Sequence, residues 1–291
     1  MRTGKAAYVI VALMVLAVIT GCGKTRNKIA EKLESQTPPT AEAAPAVTEK
    51  PAAKLEPAVP KVSHAETAIS VAAKQSRYVF VTFYRKDDDA STKMQAALKP
   101  VQAKLSHRAS FVSVDVDDPA QQDVVSKYGA DRSPIPLTLV IAPNGAVTAG
   151  FPNEIKKTDF SDVFVSDGLA GTLKVLQSQK LAVVCVQGPR TKHNKTSFAT
   201  AEELKTDPAL GGAVEIVKVD PSDRSESKFM KMCQVDTRST DAQLLVLAPP
   251  GRLVGKFDGT DTKDTIMASL RASLGGGGCG GGGCGPSGCG P

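Results

Sequence analysis

The sequence predicts an α/β fold of two tandem domains. Each has a central mixed sheet flanked by helices, and the pair sits between a disordered N-terminal linker and a Gly/Cys-rich tail. Three observations carry this reading. First, residues 137–142 (L-T-L-V-I-A) are apolar but for Thr138, the pattern of a strand buried on both faces, and the Pro143-Asn144-Gly145 turn then reverses the chain into residues 147–151. Second, strand and helix signals alternate ahead of this hairpin, which implies parallel strand pairs beside the antiparallel pair of the hairpin itself. Third, the hairpin returns at residues 244–257. Without gaps, Leu139, Val140, Ala142, Pro143, Gly145 and Phe151 recur as Leu245, Val246, Ala248, Pro249, Gly251 and Phe257.

A length of 291 residues fits two domains once the tails are set aside. The net charge of +6 is mild, and no basic stripe with interleaved aromatics appears, so nucleic-acid binding is not expected. Tryptophan is absent and aromatics make up 4%, which argues against a stacking platform for bases or sugars. Six cysteines are too few for a disulfide framework along the whole chain.

Residues 1–21 read as a signal peptide. Arg2 and Lys5 precede an apolar stretch, residues 6–19, that is too short to span a bilayer comfortably, and Ile19-Thr20-Gly21-Cys22 ends it. That ending resembles the lipobox of bacterial lipoproteins, in which a small residue precedes a lipidated cysteine. The resemblance implies cleavage before Cys22 and acylation of Cys22 by palmitate-type chains. It implies residence at the bacterial cell envelope, membrane-anchored and facing the periplasm or the exterior; Gly23 in place of Asp is compatible with outer-membrane sorting. The plainer alternative is a secretory signal with an incidental cysteine. Gly23-Lys24-Thr25 looks like the end of a phosphate-binding loop, but Val18 stands where that loop needs glycine. The linker, residues 22–64, includes a Pro-, Ala- and Glu-rich run at 36–61 with no apolar period, which makes it a semi-rigid spacer.

The first domain is expected at residues 65–178. Helical spacing at 65–74 precedes a strand at 78–83, and a helix at 90–105 follows, with Pro100 expected to kink or interrupt it. A strand at 111–116, a helix at 120–128, the hairpin and a last helix within 162–177 complete the order. Within it, V-F-V-T-F-Y from Val79, F-V-S-V-D-V from Phe111, Y-G-A-D from Tyr128 and Ile135-Pro136 resemble the thioredoxin family. The resemblance implies a cis proline at Pro136. It also implies a Cys-x-x-Cys motif where the first strand ends and the next helix begins, since that helix's dipole lowers a thiol pKa. This chain departs from the motif there, with Asp88 and Ser91 at the two cysteine positions. A carboxylate cannot attack a disulfide. Two readings of Asp87-Asp88-Asp89 remain open, an acidic helix cap and a cation site.

The second domain is expected at residues 179–274, a diverged copy with strands at 181–186 and 214–219 and helices at 197–205, 222–233 and 262–274. Val219-Asp220-Pro221 echoes Val116-Asp117-Asp118-Pro119. Gly188-Pro189-Arg190-Thr191-Lys192-His193 stands at the redox position, and Ala242 replaces the proline. Cys185 and Cys233 read as buried free thiols or as a disulfide pair, and His193 as a loop residue.

The tail, residues 275–291, holds only Gly, Cys, Pro and Ser, with Cys279, Cys284 and Cys289 five residues apart. Three readings are open: soft-metal binding of Cu(I) or Zn(II), disulfide cross-linking or exchange, and a low-complexity extension. No other cofactor is expected. The expected function is that of a non-catalytic, lipid-anchored binding or scaffold protein. Its partners are the membrane, through the lipid, and an unidentified protein. The alternatives are thiol–disulfide exchange or metal binding by the tail.

Overall fold

The computed structural model describes residues 64–156 and 159–275. The leader, Cys22, the Pro-rich run and Cys279, Cys284 and Cys289 lie outside the described residues. No described helix is long and apolar enough to cross a membrane.

The first repeat runs α1 (His64–Lys74), β1 (Tyr78–Tyr84), α2 (Asp89–Leu105), β2 (Ala109–Asp115), α3 (Gln122–Lys127), β3 (Leu137–Ile141) and β4 (Val147–Pro152). The second runs α4 (Asp167–Gln177), β5 (Leu181–Val186), α5 (Asn194–Lys205), β6 (Val214–Val219), α6 (Ser227–Met232), β7 (Gln243–Ala248), β8 (Arg252–Asp258) and α7 (Lys263–Gly275). The sheets have the same plan, β2-β1-β3-β4 and β6-β5-β7-β8. In each, the first two strands in sequence are parallel and the remaining pairs antiparallel. All of β3 and β5 is buried, as sequences that are apolar throughout but for Thr138 lead one to expect.

Alternation along the strands gives each sheet two apolar faces. Val79, Val81 and Phe83 pack with Val124 and Val125 of α3, whereas Phe80 and Val140 pack with Met94, Leu98 and Val101 of α2. In the second sheet Val183 and Cys185 meet α5 and α7, and Val184 and Val186 meet Phe229 and Met230 of α6. Helix α2 continues through Pro100 instead of stopping there. Pro100 is exposed, while Met94, Leu98 and Val101 bury the turns on either side of it, so packing outweighs the lost backbone hydrogen bond. The single helix expected at 222–233 is a 3₁₀ turn, Arg224–Glu226, followed by α6.

Helix α4 serves both sheets. Leu169, Val175 and Leu176 join the core of the second, while Ala170 and Leu173 pack on Ala142, Ala146 and Tyr78 of the first. Gln177 donates to Val147 O at 2.7 Å and accepts from Val147 N at 2.9 Å. The expected domain limit assigns this helix to the first domain; its packing gives it to both.

Candidate functional site

The chain leaves β1 for α2 on one face of the first sheet and leaves β2 for α3 on the other. The carboxyl ends of the two parallel strands therefore flank a crevice, the usual ligand position in open α/β sheets. Asp88 and Ser91 lie there. Asp88 has extended backbone and caps α2, its Oδ2 accepting from Ser91 N at 2.7 Å. Hydrogen bonds from the Ser91 hydroxyl and N–H hold the Asp88 carboxyl below the ordinary carboxylate range. Ser91 is buried, and its Oγ accepts from Arg85 N at 3.2 Å. The Ile135–Pro136 peptide, directly ahead of β3, is cis.

A second carboxylate stands at the carboxyl end of the neighbouring strand, β2. Asp115, at the end of β2, is buried and accepts from Asp117 N at 3.1 Å; Lys86 Nζ lies 3.1 Å from its Oδ2. The Asp117 N–H and then the Lys86 ammonium hold the Asp115 carboxyl below its ordinary value. Beneath lies a buried Thr82–Thr138 hydroxyl pair 3.0 Å apart. Among the described residues no group of three or more His, Cys, Asp or Glu side chains is placed to hold a metal ion. Asp88 is engaged as a helix cap.

The second repeat follows the same frame. Val81 pairs with Leu139 and Val184 with Leu245, so Val81 and Val184 are equivalent. Counting on from them sets Thr191 and Asn194 against Asp88 and Ser91, but α5 starts two residues later than α2 by this count, with His193 and not Thr191 at its cap position. These two are again tied together, Thr191 Oγ1 donating to Asn194 Oδ1 at 2.6 Å. Cys185 occupies the place of Thr82 and faces Leu244. Phe83 pairs with Val114 and Val186 with Val219, which makes Asp220 the counterpart of Asp115 and Asp223 that of Asp118. The sequence echo of Asp117 with Asp220 is therefore shifted by two residues. Asp118 caps Ala120 N at 2.9 Å and Asp223 caps Ser225 N at 2.8 Å, the same turn built twice. The Ser222 hydroxyl, its N–H and the nearby Arg190 charge keep the Asp220 carboxyl below its ordinary value. A Cβ on Gly188 would stand 2.5 Å from Asp220 Oδ1, so glycine is what lets the loop close on this carboxylate. Around them lies a cavity of about 360 Å³, lined also by Arg190, Thr191, Arg238 and Ser239. His193, on the loop, pairs with Asp241 at 2.9 Å.

Among the described residues, neither crevice contains a thiol. Cys185 and Cys233 are free and buried, in core clusters on opposite faces of the second sheet, so they form no disulfide. Burial pushes the Cys185 thiol up to about 12 and raises that of Cys233. The sequence reading missed the role of Asp115 and Asp220; the signal was available as an acidic residue at the same register position in both repeats.

No family model matches this chain, and no curated protein does. Solved structures similar to it include the first two thioredoxin domains of Saccharomyces cerevisiae Eps1p, at 12% identity over 76% of this chain and 99% of that one, with a TM-score of 0.25. The germline-specific thioredoxin Deadhead of Drosophila melanogaster is 18% identical over 31% of this chain and 82% of its own, with a TM-score of 0.27. Zinc-bound human ERp44 is 13% identical over 71% of this chain and 59% of its own, with a TM-score of 0.28. The chain's own strand order, strand directions and helix placement, repeated once, define its architecture: two tandem thioredoxin-like domains.

Proposed function

We propose that this protein is a non-catalytic binding or scaffold protein of the bacterial cell envelope, held to the membrane by lipid on Cys22. The observation that supports it is the occupancy of the two redox positions. Asp88 accepts from Ser91 N and caps α2, and Thr191 donates to Asn194 on the loop ahead of α5; among the described residues no sulfur stands at either place. Both described thiols lie inside the core, protonated at neutral pH. What the fold then offers is surface: two crevices at strand ends, in repeats that share α4.

The reading is tested by insulin-disulfide reduction with the full mature chain and with a Cys279→Ser, Cys284→Ser, Cys289→Ser variant. No reduction by either is the expected result. Reduction that survives in the triple variant overturns the reading, and reduction lost with those cysteines moves the function to the tail. Metabolic labelling with palmitate addresses the anchor. Label is expected on the parent and absent from Cys22→Ala; equal labelling of both rules Cys22 out as the acceptor.

A further inference from the structure

We propose that the first repeat carries a binding cavity for a fatty-acid carboxylate, between α2 and residues 155–156 and 159–164. The two repeats supply the comparison. In the second, α7 packs on β8 and α5 and buries Ile266, Met267 and Leu270 with Ala201 and Leu204. In the first, only residues 153–166 separate β4 from α4, too few for a helix of the 13 residues in α7 plus its connections. Part of the face of α2 is consequently left uncovered. There a cavity of about 540 Å³ remains, within the roughly 300–1,000 Å³ typical of small-molecule sites.

Its walls are apolar and fixed. Pro100, Val101 and Leu105 come from α2, and Ile155, Phe160 and Phe164 from the opposing segment. Phe160 packs edge-on to Phe80 and Phe151, with centroids 5.9 and 5.8 Å away. Phe164 is held edge-on by Tyr78 at 4.9 Å, and the Tyr78 hydroxyl donates to Val165 O at 2.9 Å and accepts from Val165 N at 3.0 Å.

The polar lining carries three cations, Lys104, Arg108 and Lys156, with His107 beside them. Lys156 pairs with Glu154, and the Arg108 guanidinium lies 4.1 Å from the Phe164 ring centre. Among the described residues Lys104 and His107 have no ion-pair partner. The lining has one carboxylate, Asp159, which accepts from Ser161 N at 2.8 Å and from Ser161 Oγ at 3.1 Å. An apolar slot with an excess of positive charge in its lining suits an alkyl chain that ends in an anion.

Isothermal titration of residues 23–291 with decanoate, laurate and myristate, all below micelle formation, tests this. Affinity is expected to rise about fourfold per methylene, from ~0.8 kcal/mol each, until the cavity is full. Ala97→Phe, which fills the cavity from α2, is expected to lower laurate affinity at least tenfold. Lys104→Glu, an exposed change that leaves folding intact, is expected to weaken laurate severalfold and to leave its neutral methyl ester unaffected. Circular dichroism checks the fold of each variant; if Ala97→Phe does not fold, Lys104→Glu decides. Absence of laurate and myristate binding, equal binding by parent and folded Ala97→Phe, or no change with Lys104→Glu would overturn the proposal.

Discussion

At the residue scale, the most informative position is the start of α2, where a carboxylate completes the helix. Asp88 accepts from the first turn of α2, so Asp88→Ala is expected to cost about 1 kcal/mol in urea unfolding and Asp88→Asn much less. A loss under a few tenths for Ala would show that the cap contributes nothing. Asp115 gives a pH signature. Its folded pKa lies below the ordinary Asp value of about 3.9, so the charged form is favoured by folding. The contribution is present above roughly pH 4 and is lost as pH falls through the folded value. The stability deficit of Asp115→Asn against the parent should thus shrink between about pH 6 and pH 3; a deficit that grows toward acid contradicts this assignment. For the thiols, iodoacetamide at neutral pH is expected to leave Cys185 and Cys233 unmodified in the folded tail-cysteine variant and to modify both in denaturant, as read by mass.

The elements were legible in unequal measure. The strands and the repeated hairpin follow from apolar runs and turn residues, because a strand buried on both faces leaves a continuous signal. Gly145 has φ +83°, the conformation that the Asn-Gly turn implies. The short helices were harder to read, since 3₁₀ turns capped by Asp118 and Asp223 break them in a way that helical spacing does not register. The second break has a use. It turns the buried Glu226 toward the start of α4, where Oε2 accepts from Ser166 Oγ at 2.6 Å and Oε1 from Gly168 N at 2.8 Å. Gly168 leaves no room for a Cβ, which would stand 2.6 Å from Val219 and 2.7 Å from Glu226. Glu226→Ala strands a buried N–H and should cost about 2–3 kcal/mol, with Gln recovering part of it. Equal stability of parent and Ala variant would remove the clamp from the account.

At the scale of the molecule, α4 couples the repeats. Ala170 is buried against Ala142 and Ala146 of the first sheet's turn, on a helix that also carries part of the second sheet's core. One unfolding transition is expected for the parent. Ala170→Glu, which buries a charge at that contact, should cost on the order of 3 kcal/mol and split the transition, with first-repeat amides exchanging before second-repeat amides. Two transitions already in the parent would show that the helix does not couple them.

The sequence alone determined the class, the repeat, the strands and the absence of cysteine from residues 85–92 and 187–194, because these depend on residue type and local period. It also carries the lipobox-like Cys22 and the cysteine tail, which lie outside the described residues. Only the tertiary structure decided that α4 is shared, that Asp115 matches Asp220 and not its near neighbour in the echo, and that α2 lacks the cover that α5 receives from α7. Those facts depend on which surfaces meet across long separations, and periodicity along the chain holds no record of that.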